Sequence, residues 1–171
     1  MFYSDLDVTS TLVKPIRCFV RQPLTESGAQ EKLIVQEVLD LFVDLPYSLE
    51  IITGLVAQTR DTFRYTFENT TGLAFTPQKF RAARLKLLNE ADAMIVIRTG
   101  LSESGAFEVA YNLFGGGQIP MFFAIWHKAP IKTTLLRDLE DLCAVKYVNF
   151  ERPEELIEPL SEFFGQIAEF H

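Results

Sequence analysis

Short apolar runs alternate along the chain with longer stretches whose apolar residues recur every three or four positions. That alternation predicts strands interleaved with helices, and so a parallel α/β sheet. The first strand is Ile16-Arg17-Cys18-Phe19-Val20, and Leu49 to Thr53 is a short second one. Met94 to Ile97 is a third, continuous enough to be covered on both faces. Met121 to Trp126 and Val145 to Phe150 are the fourth and fifth. After the first strand, Ser27 and Gln30 form a capping box for a helix carried by Leu33, Ile34, Val38, Leu39 and Phe42. Pro46 stops it. Thr76-Pro77 opens a helix running to about Asn89. Ser104 to Phe114 is a helix ended by Gly115-Gly116-Gly117, and Thr134 to Leu142 is another. Pro153 to Phe170 is the last, kinked or restarted at Pro159. Residues 54–75 have no clear period, and a connection this long predicts a lid or short elements of its own.

Five strands in 171 residues predict one domain, residues 1–171, with a flavodoxin-like doubly wound sheet of order 2-1-3-4-5. Ligands of such sheets bind beyond the carboxyl ends of the strands, where the strand order reverses. Here the reversal falls between the first and third strands. The residues predicted at that edge are Arg21 and Gln22 after the first strand, and Arg98, Ser102, Glu103 and Ser104 after the third.

The charge narrows the partners. Sixteen Lys and Arg against 23 Asp and Glu give a net charge of −7. That argues against a nucleic-acid binder or an anionic membrane surface. No apolar run reaches the ~18 residues of a spanning helix. Met1 to Ser10 is polar and acidic, unlike a signal peptide. Cys18 and Cys143 lie far apart, with no spacing that suits zinc, and read as reduced thiols of a cytoplasmic protein. Neither a metal nor a cofactor is expected. The 15 Phe against one Trp suit a large aromatic core, an oligomer interface or a base-stacking pocket lined by Phe63, Tyr65 or Phe67.

The helix from Ser104 to Phe114 is apolar almost all round, except for Ser104, Glu108 and Asn112 at i, i+4 and i+8. That stripe faces either solvent or the switch-point crevice. Gly105 favours the crevice, because it lets a ligand approach the helix amides closely. In the crevice, the carboxylate of Glu108 is expected within about 8 Å of the first strand's carboxyl end. Read as a lone carboxylate among apolar groups, Glu108 is costly to desolvate, and a Gln there is expected to be tolerated. Lys79, Arg81, Arg84 and Lys86 of the preceding helix read as a solvated basic face. His127, Lys128 and Lys132, followed by Thr133-Thr134, form a second cationic group after the fourth strand.

The stretch Ala91-Asp92-Ala93-Met94-Ile95-Val96-Ile97, a short loop, and then Ser104-Gly105-Ala106-Phe107-Glu108-Val109-Ala110-Tyr111 resembles the nucleoside 2-deoxyribosyltransferase-like superfamily, which includes nucleotide N-glycosidases. The resemblance covers residues 15 to 150 in layout and 91 to 111 in motif. It implies cleavage or transfer at the N-glycosidic bond of a nucleoside or nucleotide, with Glu108 as nucleophile. It also implies a homodimer or larger homo-oligomer. Where the family carries an Asp, this chain has Arg98, which suggests a ligand with a phosphate or carboxylate. Glu103 is the candidate proton donor to the leaving base. Arg21, Gln22, Arg98, Ser102, Ser104, Gly105 and Asn112 are the candidate ligand-binding residues. The missing Asp supports the alternative, a non-catalytic nucleotide-binding or sensing module of the same fold.

Overall fold

The structure, a computed structural model, describes residues 14–23, 28–53 and 60–170. Five parallel strands form one sheet: β1 (Ile16–Arg21), β2 (Leu49–Ile51), β3 (Ala93–Arg98), β4 (Met121–Trp126) and β5 (Val145–Phe150). Their order is β2-β1-β3-β4-β5, as the alternation of elements predicts. β2 is shorter than expected and pairs with β1 over only three residues, Ile16 to Cys18.

Alternation along each strand sorts the core into two layers. On one face lie Ile16, Cys18 and Val20 of β1 with Ile95 and Ile97 of β3 and Phe122 and Trp126 of β4. Helices α1 (Ala29–Asp44) and α5 (Ile157–Ala168) cover this layer through Val38, Leu39, Phe42, Leu160 and Phe164. On the other face Phe19, Met94, Val96, Phe123 and Ile125 pack against Leu88 of α3 (Pro77–Glu90) and Val109 and Leu113 of α4 (Glu103–Phe114). Arg21, two residues beyond Phe19, shares that second face.

Local chemistry sets several element ends. Thr76 caps α3, its Oγ1 accepting from the Lys79 N–H at 3.2 Å, with Pro77 at the first helical position. The N-cap of α1 is Gly28, without a side-chain cap; Ser27, expected there, lies outside the described residues. Leu33 is exposed rather than part of the apolar stripe. Pro159 is the third residue of α5, where its missing N–H costs nothing, and a 3-10 turn at Pro153–Leu156 precedes the helix.

The expected helix from Thr134 to Leu142 is instead two 3-10 turns, Thr134–Leu136 and Leu139–Asp141. Between them Asp138 is left-handed at φ 55°, a conformation no helix continues through. The Tyr147 hydroxyl holds this stretch by donating to Leu136 O at 3.0 Å and accepting from the Leu139 N–H at 3.3 Å.

Part of the aperiodic segment forms a helix, α2 (Arg60–Thr71). Phe63 and Phe67 pack with Phe75 and Phe80 at centroid distances of 5.2–5.9 Å, which makes a small aromatic core between α2 and α3 rather than a stacking wall. Tyr65 is exposed. At the far end of β4, Trp126 is buried, with the Lys128 ammonium 5.0 Å from its ring centroid. Among the described residues, no helix is long and apolar enough to cross a membrane.

Candidate functional site

The carboxyl ends of β1 and β3 lie side by side, with Arg21 opposite Val96. The Arg21 side chain is buried at the mouth of α4. Its Nη2 donates to Ser102 Oγ at 2.7 Å. That same hydroxyl caps α4, accepting from the Gly105 N–H at 3.0 Å. A Cβ on Gly105 would stand 3.3 Å from Arg21 Nε and 3.1 Å from Ser102 Oγ. Glycine is therefore what lets the guanidinium lie against the first turn of the helix.

One turn further on, Glu108 points into the same place and is 5% exposed. Its Oε2 lies 3.1 Å from Arg21 Nε. The Nε–H does not point at that oxygen, so this is an ion pair rather than a hydrogen bond. The hydrogen bonds come from α3. Arg84 Nε donates to Oε1 at 2.9 Å and its Nη2 to Oε2 at 3.4 Å, while its guanidinium stacks 4.2 Å over the Phe19 ring. Two guanidinium groups thus surround one buried carboxylate and leave one positive charge in excess. Burial lowers the pKa of Arg21, and the charge of Arg84 lowers it further, while Glu108 opposes both.

Beside this cluster is a small cavity of about 30 Å³, lined by Arg21, Gln22, Arg98, Gly100, Ser102 and Gly105 among others. It is water-sized, so anything larger must sit at its mouth or widen it. Among the described residues, the buried side-chain polar atoms without a hydrogen bond are Arg21 Nε and Thr99 Oγ1. Both lie at the carboxyl edge of the sheet.

The other expected site residues are distributed unevenly. Gln22 is buried at the end of β1. Ser104 and Glu103 are exposed. Glu103 precedes Glu108 by five positions, about 140° round the helix, so the two carboxylates do not share a face. Asn112 is buried at the other end of α4, donating to Ile119 O and accepting from the Ile119 N–H, both at 3.0 Å. There it ties the helix exit to the approach of β4.

Arg98 donates from Nε to Ala129 O at 2.8 Å and from Nη2 to Pro130 O at 3.1 Å, and burial lowers its pKa. It fastens the loop after β4 to the end of β3. Lys128, from the second cationic group, reaches Gln30 Oε1 at 3.4 Å. Among the described residues, no group of three His, Cys, Asp or Glu side chains could hold a metal ion.

No family model matches the chain, and no curated protein matches it. Among solved structures, the chain is similar to the CMP N-glycosidase BcmB of Clostridium botulinum. The two superpose with a TM-score of 0.55 at 15% identity, over 86% of this chain and 98% of that one. What they share is the fold.

Arg84 is the residue that sequence reasoning places on the wrong side of its helix. Counted with Lys79, Arg81 and Lys86, it belongs to a basic face. Counted by helical period, it lies four residues after Phe80 and four before Leu88, on the stripe that α3 turns inward. That spacing is the signal that separates it from its exposed neighbours.

Proposed function

We propose that the chain cleaves or transfers the N-glycosidic bond of a nucleoside- or nucleotide-like small molecule at this edge, with Glu108 as the nucleophile. The observation that carries the reading is the Glu108 carboxylate, buried 3.1 Å from Arg21 Nε at the switch point of a doubly wound sheet. The fold likeness to a CMP N-glycosidase supports it. A carboxylate held beside an anomeric carbon suits an oxocarbenium-like transition state.

In the first step, a Glu108 oxygen bonds to the anomeric carbon as the bond from that carbon to the base nitrogen breaks. The electron pair leaves with the base, which takes a proton from solvent at the open side. Water then adds to the anomeric carbon. The sugar–glutamate ester bond breaks, Glu108 is regenerated, and the water's second proton returns to solvent. In transfer, the nitrogen of an incoming base takes the place of water. Arg21, with an unbonded Nε–H and a place at the α4 N-terminus, is the group suited to an anionic ligand substituent. Two of the Arg98 donors are already given to backbone carbonyls.

The second reading is a nucleotide-binding module without catalysis. The engagement of both Glu108 oxygens by arginines favours it. Incubation with nucleosides and nucleotides, followed by chromatographic assay of free base, separates the two. Base release that is lost in Glu108→Gln supports the enzyme, and binding without release supports the module. The chain is also proposed to form a homodimer or larger assembly, since Phe107 and Phe114 of α4 are 52% and 77% exposed. Light scattering at the mass of one 19.5 kDa chain would remove that part.

A further inference from the structure

We infer that Arg84 is a positioning residue, which acts on the reaction only by fixing the plane and direction of the Glu108 carboxylate. The inference rests on the reading of Glu108 as nucleophile. Three observations carry it. Arg84 supplies the hydrogen bonds to Glu108, at 2.9 Å to Oε1 and 3.4 Å to Oε2, so the carboxylate is gripped side-on by one planar fork. Arg21 adds charge at 3.1 Å without a directed bond, and so cannot set the angle. The Arg84 guanidinium is itself held, stacked 4.2 Å from the Phe19 ring centroid on a fully buried residue of β1.

A group with these contacts fixes the plane of the carboxylate. A carboxylate that swings by an ångström loses in-line approach to an anomeric carbon, and errors of that size cost on the order of 100-fold in rate. A lysine at the same position would keep the charge but not the two-pronged geometry or the ring stacking.

The test compares wild type with Arg84→Gln, Arg84→Lys and, as a control on the exposed side of α3, Arg81→Gln. Each is measured for melting temperature, for kcat and KM of base release from a nucleoside monophosphate, and for the Arg Nε–H signal in a nitrogen-15 spectrum. In wild type, a slowly exchanging Nε–H signal should be present and should vanish in both Arg84→Gln and Glu108→Gln. Arg84→Gln should lose about 100-fold in kcat with KM within about threefold. Arg84→Lys should recover part of that loss, and Arg81→Gln should match wild type. A rise in KM at unchanged kcat would overturn the inference by making Arg84 a substrate contact. Unchanged kcat in a folded Arg84→Gln protein would overturn it by making the clamp purely structural. Absence of base release from wild type itself, with the Nε–H signal intact, would instead overturn the reading of function.

Discussion

Gly105 leaves Arg21 its place: a Cβ at position 105 would stand 3.3 Å from the buried Arg21 Nε and would press it back by a few tenths of an ångström. Alanine normally gains up to about 1 kcal/mol over glycine in a helix. In Gly105→Ala that gain should be offset by displacement of Arg21, leaving the melting temperature nearly unchanged. Base release should fall all the same, because Arg21 is moved against Glu108. A rise of about 2–4 °C, the full propensity gain for a chain of this size, would show that Arg21 gives way at no cost.

Glu108→Gln should destabilise the protein. A lone buried carboxylate would be better replaced, but this one neutralises two guanidinium groups, and Arg21 is 3% exposed. Leaving Arg21 and Arg84 facing each other without it should cost roughly 3 kcal/mol, the low end for breaking a buried pair. That corresponds to a fall of about 6–12 °C in melting temperature. Thermal denaturation followed by circular dichroism checks this, and an unchanged or raised midpoint would show that the arginines relax into water.

Arg98→Ala should act on the fold before it acts on any ligand. It removes two charge-assisted donors from Ala129 O and Pro130 O, at a cost of about 2 kcal/mol. Hydrogen exchange should quicken along residues 127–131. The affinities of a nucleotide and its unphosphorylated nucleoside should change by the same factor. A selective loss for the nucleotide would assign Arg98 to the phosphate.

Cys18 supplies a pH signature. Burial first, then the nearby Asp92 charge, push its thiol from 9.0 up to about 12. The unfolded thiol ionises above pH 9.0 while the folded one stays protonated, so the unfolded state binds fewer protons and stability falls as pH rises between the two values. Denaturant midpoints measured at pH 8, 9.5 and 10.5 should fall more steeply in wild type than in Cys18→Ala. Equal slopes would show that other groups account for the loss.

The sheet order and the nearness of Glu108 to the end of the first strand were legible because each follows from a strong period; that Arg21 would pair with it was not, and Glu108 read as a lone carboxylate. Apolar runs mark the strands, the order places the switch point, and the i, i+4, i+8 stripe of Ser104, Glu108 and Asn112 marks one face of α4. Less legible was what each member of that stripe does. Its lower end meets the backbone of Ile119, and no spacing within the helix reveals a partner brought in by the next loop. The Thr134–Leu142 stretch has helical composition, yet Asp138 turns left-handed, a tertiary choice that local propensity does not encode. Arg84 was misplaced because charge outweighed position: a cation four residues from Phe80 and from Leu88 lies on a buried stripe whatever its polarity.

The indole of Trp126 is the chain's one tryptophan, enclosed at the end of β4 with an ammonium over its ring. Excitation near 295 nm therefore reports from a single address. Lys128 belongs to the same loop as Ala129 and Pro130, whose carbonyls Arg98 grips from the end of β3. Any loosening of that grip would alter how the ammonium sits over the indole. The unlabelled protein thus carries its own optical gauge of how firmly that loop is held, readable in a denaturant titration without engineered probes.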